Sequence, residues 1–213
     1  MRRFVFFGLF LAFSGVSTAQ ADGWQFGPSL LIGAPHPLNL SFEIKPGMGS
    51  RWSLALTGGG LSVPVSGITV GITNVDVRGR WHPFSGSFFL GAIVGTQTIS
   101  GKGSDQIAIT GVGTVPVTAD VSIKSTYVSP HLGWLWIWGS GFMLGFELGW
   151  QIPFAPSSIF NINIDDATYN AYLDQVKTTP QYQQLQNNIQ DQANRVGTIS
   201  FPYATLLRLG WMF

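Results

Sequence analysis

The C-terminal stretch of the chain, FPYATLLRLGWMF at residues 201–213, alternates between two faces along its whole length. One face carries mostly large side chains: Phe201, Tyr203, Thr205, Leu207, Leu209, Trp211 and Phe213. The other face is smaller and more polar: Ala204, Leu206, Arg208, Gly210 and Met212. A period of two residues is typical of a β-strand, because successive side chains of a strand point to opposite faces. The stretch therefore predicts a strand with one apolar, aromatic face.

The same alternation recurs upstream, for example in FMLGFELGWQIPF at residues 142–154 and LNLSFEIK at 38–45. Eight such segments are predicted as strands: 24–33, 38–46, 51–60, 66–82, 87–99, 118–137, 142–153 and 199–213. Glycine-marked turns at 47–50, 83–86 and 138–141 alternate with links at 34–37, 61–65, 100–117 and 154–198, of which the last two are long. Residues 101–124 either form an extra hairpin or extend strands five and six.

The composition is unusual for a water-soluble domain. Only 10% of the 213 residues are charged, against about 25% in ordinary soluble proteins, whereas 45% are hydrophobic and 14% aromatic. In a transmembrane barrel the apolar strand faces contact lipid and the polar faces line the lumen. We therefore predict an all-β fold, an eight-stranded antiparallel up-and-down transmembrane β-barrel over residues 22–213, rather than a secreted sandwich.

The same numbers exclude other classes of function. The near-neutral net charge argues against nucleic-acid binding. The chain has no cysteine, which excludes disulfides and thiolate metal ligands. The three histidines are far apart and lack ligand-spaced partners, so the sequence predicts neither a metal site nor a cofactor.

Residues 1–21 have the three parts of a secretory signal peptide. A basic start at Arg2 and Arg3 precedes an apolar run from Phe4 to Phe13, and small residues end in Ala19-Gln20-Ala21. The apolar run is too short to span a bilayer, which takes about 20 residues. Export followed by insertion into the outer membrane of a Gram-negative bacterium is the predicted location, with membrane lipid as partner.

Most tryptophans fall toward the end of the predicted barrel that carries the tight turns. These are Trp24, Trp52, Trp81, Trp134, Trp136, Trp138 and Trp211. Trp150 lies nearer the opposite rim, with Phe154, Phe201 and Tyr203. Because tryptophan is enriched where a membrane meets water, the seven are predicted to form an interfacial girdle.

In its predicted architecture, residues 22–213 resemble the small eight-stranded outer-membrane barrels, the group of the OmpA transmembrane domain and OmpX. The most specific feature is the last strand, with alternating apolar residues that end on Phe213. The resemblance implies that Phe213 closes a signal recognised by the barrel-assembly machinery. The long link at 154–198 departs from the pattern of that group.

The alternation assigns a set of charged side chains to the barrel interior. The predicted lumen charge network is Glu43, Lys45, Asp76, Arg78, Arg80, Glu147 and Arg208. Glu147 and Arg208 lie on neighbouring strands near the turn end, so their contact is the most specific pair predicted. An eight-stranded barrel is just wide enough for side chains to fill it. The network is therefore either a permanent polar plug, which we favour, or the gate of a narrow pore.

The long link predicts a helical insertion in the last extracellular loop. Tyr169, Tyr172, Leu173 and Val176 fall at helical spacing after the candidate caps Asp165 and Asp166. Pro180 begins a second segment with a stripe at Tyr182, Leu185, Ile189 and Ala193, which Gly197 ends. This insertion either binds an extracellular partner or covers the barrel mouth.

Three functions remain open at this point. A structural or surface-interaction role is favoured, a narrow gated pore is the alternative, and an outer-leaflet lipid hydrolase is third. The hydrolase would rest on Ser129, His131 and Glu147, but the predicted lumen gives a bulky lipid no access to them. No enzymatic activity is therefore expected.

Overall fold

The computed structural model is a closed barrel of eight strands, each antiparallel to its neighbours, with β1 paired to β8. It describes residues 23–47, 49–84, 86–109, 113–164 and 180–213. The strands are β1 (Gln25–Ala34), β2 (Leu38–Lys45), β3 (Trp52–Val65), β4 (Ile68–Trp81), β5 (Phe88–Ile109), β6 (Gly113–Ile137), β7 (Phe142–Ile164) and β8 (Phe201–Trp211). One helix, α1 (Pro180–Val196), lies between β7 and β8. The predicted eight-stranded up-and-down barrel with a helical insertion is confirmed.

Two predicted features lie outside the described residues. They are the signal peptide at 1–21 and the first helical stretch of the insertion, from Asp165 to Val176.

The predicted contrast between short turns at one end and long loops at the other holds only for the link between β7 and β8, because the link predicted at 61–65 and most of the link predicted at 100–117 are strand. β3 runs to Val65, β5 and β6 pair from Ile109 and Gly113 onward, and β7 continues to Ile164. Residues 101–124 therefore extend strands five and six rather than add a hairpin, and the link predicted at 154–198 begins after Ile164. The strands β5, β6 and β7 reach 22, 25 and 23 residues, although a membrane strand needs only about 9–11.

A β-bulge in β8 corrects the predicted faces of that strand. Thr205 pairs with Glu147 and Arg208 with Gly145, so β8 has one more residue than β7 across this interval. The pairing with β1 places the extra residue at Leu206. A bulge reverses the alternation on one side of it. Tyr203 and Thr205 consequently point into the barrel together with Arg208, instead of outward.

Helix α1 begins at the predicted proline and ends just before Gly197. Its residue Ala193 is buried, and the Ser158 hydroxyl of β7 donates a hydrogen bond to the Gln190 carbonyl at 3.3 Å. The opposite surface is polar and exposed: Gln183, Gln184, Asn187, Asn188, Asp191, Gln192 and Arg195. Within the described residues, no helix combines the length and the apolar character needed to cross a membrane.

The barrel interior is layered along its axis. We call the end with the turns at 46–51, 82–87 and 138–141 the turn end, and the end that carries α1 the helix end. An apolar cluster lies near the turn end: Phe89, Leu135, Met143 and Met212. Toward the helix end this cluster is followed by a layer of charged side chains and then by a layer of amides, so polar groups fill much of the interior.

Candidate functional site: the charged layer of the barrel interior

Six of the seven predicted charged residues meet in one layer of the lumen. Glu43 comes from β2, Asp76, Arg78 and Arg80 from β4, Glu147 from β7 and Arg208 from β8, and each is at most 2% exposed. They converge because each occupies an inward position of its strand. The positions between them point outward and are apolar, as at Leu56 and Val77. Three carboxylates face three guanidinium groups, so the layer as a whole is neutral.

Glu147 is at the centre of this layer. Its carboxylate contacts Arg208 at 2.6 Å, Arg78 at 3.1 Å and Arg80 at 3.2 Å. Glu43 forms a second centre, contacting Arg80 at 2.6 Å and also Arg208. The predicted contact between Glu147 and Arg208 is therefore present. Buried charges are tolerated when they are paired and hydrogen-bonded, and this arrangement gives every carboxylate at least one guanidinium partner.

Two tyrosines extend the network with neutral donors. The Tyr127 hydroxyl donates to Asp76 at 2.8 Å, and the Tyr203 hydroxyl donates to Glu147 at 3.0 Å. Asp76 also accepts hydrogen bonds from Arg78 at 2.8 Å and from Asn74 at 2.9 Å. Tyr203 and its neighbour Thr205 were not predicted here, because the alternation alone gives no signal for the bulge that turns them inward.

Lys45 is the exception among the predicted network residues, and its assignment is corrected. It is the last residue of β2, half-buried, and lines a cavity of about 260 Å³ at the turn end together with His82 and Trp138. No ion pair of Lys45 with a carboxylate occurs among the described residues. Lys45 lies two residues beyond Glu43 along β2, on the turn-end side of the charged layer, so it sits at the mouth of the barrel.

Lys45 therefore supplies a matched control for the network. We expect Lys45→Met to change the free energy of unfolding by less than about 1 kcal/mol. Lys45 lies at the mouth and has no ion-pair partner among the described residues, so the substitution breaks no ion pair. Urea unfolding of the refolded protein in lipid vesicles measures this. A loss of several kcal/mol would instead place Lys45 within the network.

A layer of amides lies on the helix side of the charges. Gln151 donates to Gln97 at 2.6 Å, Gln97 donates to Ser125 at 3.2 Å, and the His36 ring lies 3.2 Å from the Gln97 side-chain oxygen. Burial lowers the pKa of His36, which lies in the link between β1 and β2, to about 4. His36 is therefore neutral at neutral pH, and so is the amide layer.

The three residues of the hydrolase hypothesis lie in the lumen, but they are not joined as a catalytic group. His131 contacts the backbone carbonyl of Ser129 at 3.2 Å through Nδ1. The Ser129 hydroxyl and His131 Nε2 have no hydrogen-bond partner within the described chain. Ser129, His131 and Glu147 are all at most 5% exposed. A nucleophilic serine needs a base within hydrogen-bond reach and access for its substrate, and neither condition is met.

The structure places the seven tryptophans of the predicted girdle at the turn end. Trp52 stacks on Trp81 with ring centroids 6.1 Å apart, and Trp134 stacks on Phe146 at 4.9 Å. Six of the seven are exposed on the outer surface and Trp134 is half-buried. Their role at a membrane interface and the role of Phe213 in assembly stay predictions.

In the described residues no group of three or more histidine, aspartate or glutamate side chains is arranged to hold a metal ion.

Fold and site together define a small closed eight-stranded β-barrel whose lumen is filled by buried ion pairs. No family model matches this chain, and no curated protein matches it. Among solved structures, CarO of Acinetobacter baumannii is similar at 12% sequence identity, with 88% of this chain and 97% of that chain covered and a TM-score of 0.39. At that TM-score the likeness carries no inference about the role of this chain.

Proposed function

We propose that the protein is a non-conducting barrel of the outer membrane of a Gram-negative bacterium, with a structural or surface-interaction role and no enzymatic activity. Its export through residues 1–21 and its kinship with the OmpA and OmpX group are parts of the same proposal. The support for a membrane location is the outer surface, where Leu54, Leu56 and Val75 are 55–59% exposed. Soluble monomers seldom expose an apolar band that encircles the molecule, whereas lipid covers such a band.

The observation that carries the non-conducting role is the charged layer itself. Arg78, Arg80 and Arg208 are 0% exposed, and Glu43 and Glu147 are at most 2% exposed. Side chains that water does not reach leave no continuous aqueous path through the barrel at their level. The layer thus acts as a plug, in agreement with the filled interior expected for eight strands.

We expect the refolded mature protein to be silent in planar bilayer recordings. Folding of the protein used is checked by the shift in gel mobility on heating. Discrete, reproducible conductance steps from folded wild-type protein would contradict the plug and favour a pore.

A narrow gated pore is the second candidate, and one observation favours it. Arg80 and Arg208 each contact both Glu43 and Glu147. Each guanidinium has two carboxylate partners, so it keeps an ion pair when one contact breaks, which is what a switching gate requires. In that case conductance would appear in the wild type at raised voltage or after the pairing is altered.

The surface-interaction role rests on α1 and its exposed glutamines and asparagines. Replacing residues 180–196 with a short glycine-serine linker removes the helix, while β7 and β8 keep their pairing. We propose that an extracellular partner binds this part of the insertion. Surface binding by cells that express the protein should then fall with the deletion, and unchanged binding would leave α1 a structural cover.

A further inference from the structure

The hairpin of β3 and β4 reverses its polarity near the helix end. Closer to the turn end its outward side chains are apolar, as at Leu54, Leu56 and Val77, and the inward ones are polar. Beyond Gly59 and Asn74 the outward residues become Ser62, Pro64, Thr69, Gly71 and Thr73. The inward ones become Leu61, Val63, Val65, Ile68, Val70 and Ile72. We call these six residues the apolar wall.

The register makes the wall one continuous surface. Leu61 pairs with Ile72, Val63 with Val70 and Val65 with Ile68. No bulge interrupts this pairing, so the wall continues the lumen face that carries Asn74 and Asp76 nearer the turn end.

The outer face at this level is suited to water, not to lipid. Lys102 of β5 pairs with Thr69, and its side chain is 64% exposed. It also lies 3.9 Å from Asp120 of β6. A charge in the hydrocarbon region is costly, so the reversed part of the hairpin stands beyond the bilayer. Contact with lipid therefore does not account for the apolar wall at this level.

Helix α1 packs against β7, on the opposite side of the mouth. Ile123 of β6, Phe160 of β7 and Ala193 of α1 are at most 9% exposed. The wall differs, since Val63, Val65 and Val70 remain 44–53% exposed. Among the residues that the structure describes, the same kind of apolar side chain is thus buried on the β6–β7 side and uncovered on the β3–β4 side.

A cavity of about 410 Å³ lies against this uncovered side, a size typical of small-molecule sites. Its lining contains no charged residue: Pro37, Leu61, Val63, Val65, Val70, Gly71, Ile72 and Ile99. A charged ligand would find no counter-ion in this lining, whereas an uncharged apolar one matches it throughout.

The amide layer adjoins the wall on its turn-end side. Asn39 and Asn74 are the cross-strand partners of Gly59, two residues before Leu61, and both are at most 4% exposed. The side-chain oxygens of Asn39 and Asn74 have no hydrogen-bond partner within the described residues, and neither does His36 Nδ1. Buried polar atoms of this kind are normally hydrogen-bonded, so these three acceptors lack a donor, although none of their residues lines the cavity itself.

We infer that the apolar wall and the adjoining amide layer form a binding site for a small neutral amphiphile with an apolar body and a hydroxyl group. The apolar body covers the wall, and the hydroxyl lies toward the amides. The wall faces into the barrel mouth, which suits a small molecule better than the surface of a second copy. The site lies beyond the ion-paired plug, so it does not require a conducting lumen.

The absence of cysteine from the chain allows a direct test. Val63→Cys places one thiol on the wall, and Ser62→Cys places one on the outer face of the same strand as the matched control. The rate of alkylation by a water-soluble maleimide is measured with folded protein in nanodiscs, with and without 4-phenylbutan-1-ol. At a probe concentration ten times the Kd, the free fraction and hence the Val63→Cys rate should fall about tenfold, while the Ser62→Cys rate stays constant.

A second variant in the same background fixes where the probe binds. Val70→Asp puts a charge opposite position 63 and should abolish the protection, whereas Thr69→Asp on the outer face should preserve it. Three results would overturn the inference: an unchanged Val63→Cys rate, equal slowing of both thiols, or a Val63→Cys thiol that fails to react even without probe. The last would mean that the chain itself or a second copy covers the wall.

Discussion

Replacing Glu147 with glutamine is expected to destabilise the barrel by about 3–5 kcal/mol, the usual cost of removing one partner from a buried ion pair. Glu147 contacts three guanidinium groups, and without its charge the layer holds two carboxylates for three arginines. Arg78 keeps Asp76, but Arg80 and Arg208 must share Glu43. The urea midpoint of the refolded protein in lipid vesicles should fall accordingly.

Two further variants separate the network from a general loss of packing. Lys45→Met is the control, since it removes a charge outside the layer. The double variant Glu147→Gln with Arg208→Met removes the excess positive charge, and it should recover part of the lost stability because a buried pair replaced on both sides costs less than a broken one. Single and double variants that unfold at the wild-type midpoint would show that the ion pairs do not hold the barrel together.

The sequence predicts the strands well where the alternation is uninterrupted. In β2, β4 and β7 the polar positions recur every second residue, and Glu43, Arg78 and Glu147 point inward as predicted. The sequence predicts helix α1 equally well, because Pro180 and Gly197 mark its two ends. In these elements a local pattern and the final fold agree, which explains why single residues could be assigned to the lumen.

The bulge in β8 cannot be predicted from the sequence pattern alone. Leu206 and Leu207 are consecutive apolar residues, and either suits an outward position, so their order does not reveal which one is extra. The partner strands decide this through the shared register of Glu147 with Thr205 and Gly145 with Arg208. The alternation therefore predicts Tyr203 at the outer rim, although its hydroxyl contacts Glu147 inside the barrel.

The sequence alone does not decide whether residues 101–124 extend β5 and β6, for a different reason. Residues 100–106, SGKGSDQ, are polar and contain two glycines, with no apolar face. Such stretches are typical of loops when they are considered singly. Pairing over the full length of β5 and β6 supplies the backbone hydrogen bonds that make them strands, and that pairing joins residues far apart in the chain.

Gly95→Val is expected to be as damaging as the loss of Glu147, because this glycine makes room for part of the charged layer. Gly95 pairs with Asp76 on one side and with Tyr127 on the other, and the hydrogen bond of 2.8 Å from Tyr127 to Asp76 passes across it. A Cβ atom at this position would lie 2.5 Å from the Asp76 Cβ and 2.6 Å from the Val75 carbonyl oxygen. Neither of these atoms can move without shifting β4.

Overpacking of this kind costs about 1–3 kcal/mol, and displacement of Asp76 adds the loss of its contacts with Arg78 and Tyr127. We therefore expect Gly95→Val to lower the unfolding midpoint strongly and to reduce the fraction that shows heat-modifiable gel mobility. Gly101→Val is the matched control on the same strand, because a Cβ there meets no atom within 4 Å. Equal effects of the two substitutions would contradict a packing role for Gly95, whereas a selective effect at Gly95 would show that the lumen is packed around this glycine.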